Sequence, residues 1–230
     1  MALRLDHLEI EKDGFCLSAD VEIRQGARLA VIGPSGAGKS TLFELLAGFQ
    51  RPTKGHMQWN GAEMSGPPGK RPIAMVFQDN NLFPHLSLKR NAAMALTQKR
   101  TLSADIEAKL EEVLERVGLA GLGERLPSQV SGGQQSRAAL ARLLLQDKPI
   151  WLLDEPFAAL GPALKREMLA LVREIAEGQG GTVLMITHDP KDALEFADQS
   201  LLVADGKVTG PFDTADLFAD PPEALKSYLG

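Results

Sequence analysis

Residues Gly33, Pro34, Ser35, Gly36, Ala37, Gly38, Lys39, Ser40 and Thr41 follow one another in a spacing suited to holding a polyanion. Glycines at 33, 36 and 38 let backbone N–H groups turn inward without Cβ clashes, forming an anion nest. Lys39 supplies a point charge for the β and γ phosphates of a nucleotide, and Ser40 a hydroxyl for a magnesium ion. The stretch satisfies the P-loop pattern G-x-x-x-x-G-K-[ST], with an apolar strand expected before it and an apolar helix after it. Alone, it specifies a nucleoside triphosphate and nothing narrower.

A second chemical element is Ile150-Trp151-Leu152-Leu153-Asp154-Glu155. An apolar strand delivers two carboxylates at its carboxyl end, where ligands sit in open α/β sheets. Asp154 has the hard oxygen donors that Mg²⁺ prefers, and Glu155 is suited to orient and partly deprotonate an attacking water. Away from a P-loop, the same pair would read as the start of a solvated turn. The third element is Ser131-Gly132-Gly133-Gln134, read as leading into an alanine- and leucine-rich helix over 135–146. Two glycines at a helix start offer another anion site, beside a hydroxyl and a carboxamide. On its own this tetrapeptide reads equally well as a flexible turn.

The elements around these residues are legible as hydrophobic runs. Leu3, Leu5, Leu8 and Ile10 predict a first strand, and Val21 and Ile23 a second. Short apolar runs at 29–32, 73–77, 150–153 and 182–186 read as buried parallel strands. Helices are expected at 41–48, stopped near Gly48, and at 162–176, with Leu164, Met168, Leu171, Val172 and Ile175 on its apolar stripe. Ser103 is placed to cap a helix carrying Ile106, Leu110, Val113, Leu114 and Val117, with Gly118 as its stop. Asp189-Pro190 reads as a cap and first-turn proline for a helix through Phe196, and Asp205-Gly206 as a hairpin turn.

Composition narrows the setting. The 230 residues suit one domain, and 44% hydrophobic with 24% charged residues is ordinary for a globular protein. A formal net charge of −5 argues against a general nucleic-acid-binding surface, and no nucleic-acid partner is expected. Cys16 is the only cysteine, which fits a reducing cytosol. The N-terminus alternates apolar and charged residues, unlike a signal peptide or anchor, and no run approaches the roughly 20 apolar residues that span a bilayer.

Together, the P-loop, Asp154-Glu155 and Val130-Ser131-Gly132-Gly133-Gln134 resemble the ABC ATPase family, whose signature is LSGGQ. Val130 replaces its leucine. The resemblance implies an α/β P-loop NTPase core with a mainly parallel sheet, an N-terminal antiparallel β subdomain and an inserted α-helical subdomain. The core would span about 1–78 and 136–230, and the helical subdomain about 79–135. It implies that Ser131, Gly132, Gly133 and Gln134 of one copy cap ATP held by the P-loop of a second copy. Gln78 resembles the Q-loop glutamine, which touches Mg²⁺ or water, and His188 the switch histidine that contacts the γ-phosphate. The implied cofactors are ATP and Mg²⁺. The implied partners are membrane permease subunits, a second copy of the chain and, indirectly, a periplasmic solute-binding protein, at the cytoplasmic face of the inner membrane.

The stretches QDNNLFPHLSLKRN, DEPFAALGPALKREML and SLLVADGKV resemble the ATPases of the thiamine-importer subfamily, and with the sequence ending at 230 the extra C-terminal regulatory domain of some importer ATPases is not expected. Another small-molecule importer, or a non-transport ABC ATPase of DNA repair or translation, is the rival reading. Neither a heptad run nor a second P-loop supports the latter. Two positions depart from the family. Ala158-Ala159-Leu160-Gly161 stands where the D-loop has Ser-Ala-Leu-Asp, and Glu11 and Lys12 stand where an aromatic usually stacks on adenine. Phe15 is the nearest candidate for that stacking and is equally readable as a core residue.

Overall fold

The computed structural model of the protein describes residues 2–12, 14–158 and 160–229. Alternating apolar residues in β1 (Ala2–Lys12) and β2 (Phe15–Arg24) face one core and leave charged residues outside. The remaining strands are β3 (Arg28–Ile32), β4 (Lys54–Trp59), β5 (Ala62–Glu63), β6 (Ile73–Val76), β7 (Ile150–Asp154), β8 (Thr182–Ile186), β9 (Gln199–Ala204) and β10 (Lys207–Asp213). They form one sheet in the order β5-β4-β1-β2-β10-β9-β3-β8-β7-β6. The β9-β3-β8-β7-β6 half is parallel, whereas β5, β4, β1 and β2 pair antiparallel. Strand β10 joins the halves, parallel to β2 and antiparallel to β9. Its hairpin with β9 turns at Asp205 (φ 49°) and Gly206 (φ 70°), as the Asp-Gly pair predicts.

The parallel strands are buried on both faces, which explains their continuous apolar sequences. In β7, Ile150 and Leu152 enter one core while Trp151 and Leu153 enter the other; in β8, Leu184 and Ile186 oppose Val183 and Met185 in the same way. The first core also holds β1, β2 and helix α1 (Lys39–Ala47), so the antiparallel strands share a hydrophobic interior with the P-loop helix. The second is covered by α2 (Leu88–Ala93), α3 (Ala104–Arg116), α4 (Gly132–Leu144), α5 (Pro162–Gln179) and α6 (Pro190–Phe196). Helices α7 (Thr214–Ala219) and α8 (Glu223–Leu229) close the chain.

Helix α1 is held at its C-terminal end. Gly48 at φ 89° ends it, as expected. Its last carbonyls, on Leu45 and Leu46, accept hydrogen bonds from the buried Arg71 guanidinium, the latter at 2.8 Å. A cation placed there adds a donor to carbonyls at the end of the helix and complements its dipole. Burial lowers the pKa of Arg71, yet guanidinium remains charged at any working pH.

Three local expectations are corrected. Ser103 occupies the N-cap of α3 but makes no side-chain cap bond; Asp105 and Glu107 supply negative charge to the first turn instead. Helix α4 starts at Gly132 and ends at Leu144, three residues before and two before the bounds read from its apolar residues. The earlier start follows from a capping box: Ser131 Oγ accepts from Gln134 N at 3.3 Å, and Gln134 Oε1 accepts from Ser131 N at 2.9 Å. Helix α2 is a short element that the apolar pattern does not announce. Its cap is Ser87, whose hydroxyl accepts from Arg90 N at 3.2 Å.

Candidate functional site

Parallel pairing puts the chemically capable residues at one edge of the sheet. Val31 lies opposite Ile186, and Ile186 opposite Asp154, so the carboxyl ends of β3, β8 and β7 are level. The P-loop leaves β3, His188 follows β8 by two residues, and Asp154-Glu155 ends β7. Gln78 lies two residues past β6, whose Val76 pairs with Leu153.

Within the loop, Gly33 adopts φ 145° and Gly38 φ 106°. A Cβ on Gly33 would lie 1.9 Å from the Val203 carbonyl oxygen, so β9 approaches too closely for any side chain there. A Cβ on Gly38 would lie 2.7 Å from the tip of the Phe15 ring. Phe15, partly buried, therefore packs on both the loop and the first core. Lys39 Nζ donates to the Gly33 and Pro34 carbonyls at 2.7 and 2.8 Å. Burial lowers its pKa, opposed by the fields of Glu155 and Asp154. Ser40 and Thr41 follow in the first turn of α1.

Asp154 is 9% exposed. Burial raises its pKa, as does neighbouring Glu155, while a hydrogen bond from the Ser40 hydroxyl and the charge of Lys39 work the other way. A buried carboxylate touching a hydroxyl, in a field that disfavours its charge, is a donor set that fits a hard divalent cation. Glu155 bends out of β7 with φ 45°, a left-handed conformation that costs a non-glycine residue roughly 1–2 kcal/mol. Its N–H donates to Ile186 O at 3.2 Å, and Oε2 lies 3.2 Å from His188 Nδ1. The bend thus turns the second carboxylate along the sheet edge toward β8.

The structure places the P-loop, Asp154, Glu155 and His188 at the same end of the parallel strands. Gln78 is exposed and makes no hydrogen bond among the described residues. Ser131 and Gln134 engage one another in the capping box, and Gly133 packs near Leu160 and Leu164. Of the departing D-loop stretch, Ala159 lies outside the described residues; Gly161 is the N-cap of α5 and offers no side-chain cap. Sequence reading missed Arg142, which donates to the carbonyls of Asn81 and Asn80 at 2.7 and 2.9 Å and so ties α4 to the loop after Gln78. The S-x-x-Q pattern could have revealed the capping box; no local signal announces the Arg142 contact.

The ABC transporter family profile matches residues 17–158, a span holding the P-loop, Gln78, the signature and Asp154-Glu155. The chain belongs to the ABC transporter family. This ABC ATPase is 57% identical over 230 residues to the thiamine import ATP-binding protein ThiQ of Cereibacter sphaeroides, with 99% of each chain covered. It is 54% identical to the protein of the same name from Ruegeria sp., with 99% of each covered, and 43% identical to that of Yersinia pseudotuberculosis, covering 99% of this chain and 97% of that one. Solved structures agree on the fold. The dimeric post-hydrolysis state of the ATP-binding cassette MJ0796, bound to ADP and Pi, superposes with TM-score 0.79 at 26% identity over 92% of this chain and 98% of that one. The cbiO1 protein of Clostridium perfringens, part of the ABC transporter complex cbiONQ, gives 0.83 at 26% identity over 99% and 94%. Like its family, this ABC ATPase binds ATP and couples its hydrolysis to transport. Among the described residues no helix is long and apolar enough to cross a membrane.

Proposed function

We propose that this chain is the ATP-hydrolysing subunit of a thiamine importer, working as a two-fold pair on the cytoplasmic face of the inner membrane beneath separate permease subunits. A periplasmic binding protein would deliver the vitamin. The observation that carries the solute assignment is identity of 43–57% along essentially the full length of relatives bearing that name. The site geometry supports the mechanism.

ATP enters with its phosphates on the amides of the 33–41 loop, and Lys39 exchanges its two carbonyl bonds for phosphate oxygens. Ser40 and Asp154 would hold Mg²⁺, with Gln78 able to reach it from the end of β6; the ion supplies charge neutralisation at the phosphates when bound. Ser131, Gly132 and Gly133 of the second copy cover the nucleotide, while Gln134 holds the start of α4 in shape. Glu155 orients the water and accepts its proton, and His188, paired with it, stands beside the reacting phosphoryl group.

The core would comprise about 1–78 and 136–230 and a helical subdomain about 79–135, with α4 crossing the boundary. A groove of about 210 Å³ beside the loop after Gln78, lined by Phe49, Met75, Phe77, Asn81 and Arg142, would seat an apolar segment of the permease. Phe49, 53% exposed at its rim, supports that use.

Two experiments separate the layers of this reading. With Cys16→Ser removing the native thiol, Ser35→Cys in one copy and Gln134→Cys in another should crosslink when a non-hydrolysable ATP analogue is present. No crosslink between copies would reject the sandwich. In liposomes carrying the chain with its permease and binding protein, labelled thiamine should accumulate only with ATP. ATP-driven uptake of another solute, and not thiamine, would reject the solute while leaving the ATPase intact.

A further inference from the structure

Beyond the P-loop and the two carboxylates lies a partly buried ionic cluster that the mechanism above does not use. Lys165, one turn into α5, directs Nζ to Asp192 Oδ2 at 3.0 Å and Asp189 Oδ2 at 3.5 Å. The Lys165 and Asp192 side chains are each 15% exposed, so this contact is screened by solvent less than a pair on the open surface. Thr187 belongs to it as well. Its hydroxyl donates to Asp192 Oδ2 at 3.1 Å and accepts from Asp189 N at 3.1 Å. Asp189 in turn caps α6 by accepting from Lys191 N at 2.9 Å.

These contacts fix the residues on both sides of His188. Thr187 and Asp189 are its chain neighbours, and both are tied through Asp192 or directly to one ammonium group. The ammonium comes from α5, which follows the turn leaving Glu155, so Glu155 and Lys165 stand on one short stretch of chain. That stretch grips the 187–189 loop twice: once through Glu155 Oε2 and His188 Nδ1 at 3.2 Å, and once through Lys165.

We propose that Lys165 is a positioning residue that sets the distance between His188 and Glu155 by clamping the 187–189 loop to the start of α5. The proposal rests on the reading of Glu155 and His188 as the groups beside the reacting water. Without the ammonium, Asp189 and Asp192 face each other unneutralised near the protein interior, and their repulsion moves the loop on which His188 rides. Burial acts to lower the Lys165 pKa, but the hydrogen bonds and charges of Asp192 and Asp189 outweigh it and leave the pKa raised. The group therefore stays charged throughout the neutral range. The nucleotide cradle is built from other residues, so ATP binding does not depend on the clamp.

The test compares Lys165→Met, Lys165→Arg and Glu155→Gln, each measured for ATP affinity with a fluorescent analogue and for steady-state hydrolysis. A misplacement near 1 Å costs on the order of 100-fold in rate. Lys165→Met is accordingly expected to bind the analogue within about 3-fold of wild type and to hydrolyse ATP about 10–100-fold more slowly. Lys165→Arg, which keeps the charge, should recover most of that rate. Wild-type turnover in Lys165→Met overturns the proposal, as does failure of Lys165→Arg to rescue, or a parallel loss of nucleotide binding. If Lys165→Met does not fold, Asp192→Asn probes the same clamp from its acidic side and must give the same division between binding and turnover. Wild-type turnover in Glu155→Gln would instead reject the catalytic reading itself. An inactive Glu155→Gln beside a fully active Lys165→Met rejects only the clamp.

Discussion

His188 Nδ1 lies 3.2 Å from Glu155 Oε2, joining the residue after β7 to the residue two beyond β8 across the edge of the sheet. Glu155 makes this contact from a left-handed backbone conformation, φ 45°, which a non-glycine residue adopts at a cost. Glu155→Gln removes the base while preserving most of the shape. It should retain ATP binding and lose about 10²–10⁴-fold in turnover. Single-turnover hydrolysis beside equilibrium binding checks this, and a wild-type rate would remove Glu155 from the mechanism.

Asp154 links function to stability in the opposite sense from a salt-bridged carboxylate. Burial and Glu155 raise its pKa, so the nucleotide-free fold binds this proton more tightly than the unfolded chain does. Its contribution to stability is then a penalty, complete above the raised pKa and vanishing below the ordinary carboxylate range. Asp154→Asn should melt at a higher temperature than wild type at pH 8, with the gap narrowing toward pH 4. The variant should also gain less thermal protection from ATP with magnesium. A lower melting temperature at pH 8 would contradict the assignment.

Two glycines of the loop predict unequal penalties. At Gly33 a methyl group meets the Val203 carbonyl oxygen at 1.9 Å, and β9 must move to admit it. At Gly36, φ is +77° but nothing lies within 4 Å. Gly36→Ala should cost roughly 1–2 kcal/mol, the left-handed backbone penalty. Gly33→Ala should exceed about 4 kcal/mol or fail to yield folded protein. Urea unfolding of the two variants decides between them; equal midpoints would show that β9 yields easily.

Gly161 offers a gain in place of a loss. It is the N-cap of α5 at φ −65° and ψ 156°, with no side-chain cap and open space around its missing Cβ. Gly161→Asp should cap the helix and meet its dipole, adding about 0.3–1 kcal/mol. Calorimetry should register a rise of roughly 1–3 °C. The same carboxylate would restore a polar group to the D-loop, so hydrolysis should become faster or steeper in ATP. An unchanged rate and Hill coefficient would mean that the missing aspartate has no kinetic weight.

Residues close in sequence carried their own meaning. The P-loop, the apolar strand ending in Asp154-Glu155, the Asp189 cap and the Asp205-Gly206 turn were all legible, because the physics behind each acts within a few residues. Even the capping box of α4 is written in Ser131 and Gln134, although the apolar residues of the helix place its start three positions further along. Other features had no local trace. Lys165 reaches Asp192 across 27 positions, Arg142 reaches Asn81 across 61, and Gly33 is constrained by a strand 170 residues away. Such contacts exist only because parallel strands, far apart in the chain, are brought level by backbone hydrogen bonding. Sequence alone supplied the chemical groups; packing of the sheet decided which of them touch, and at what distance.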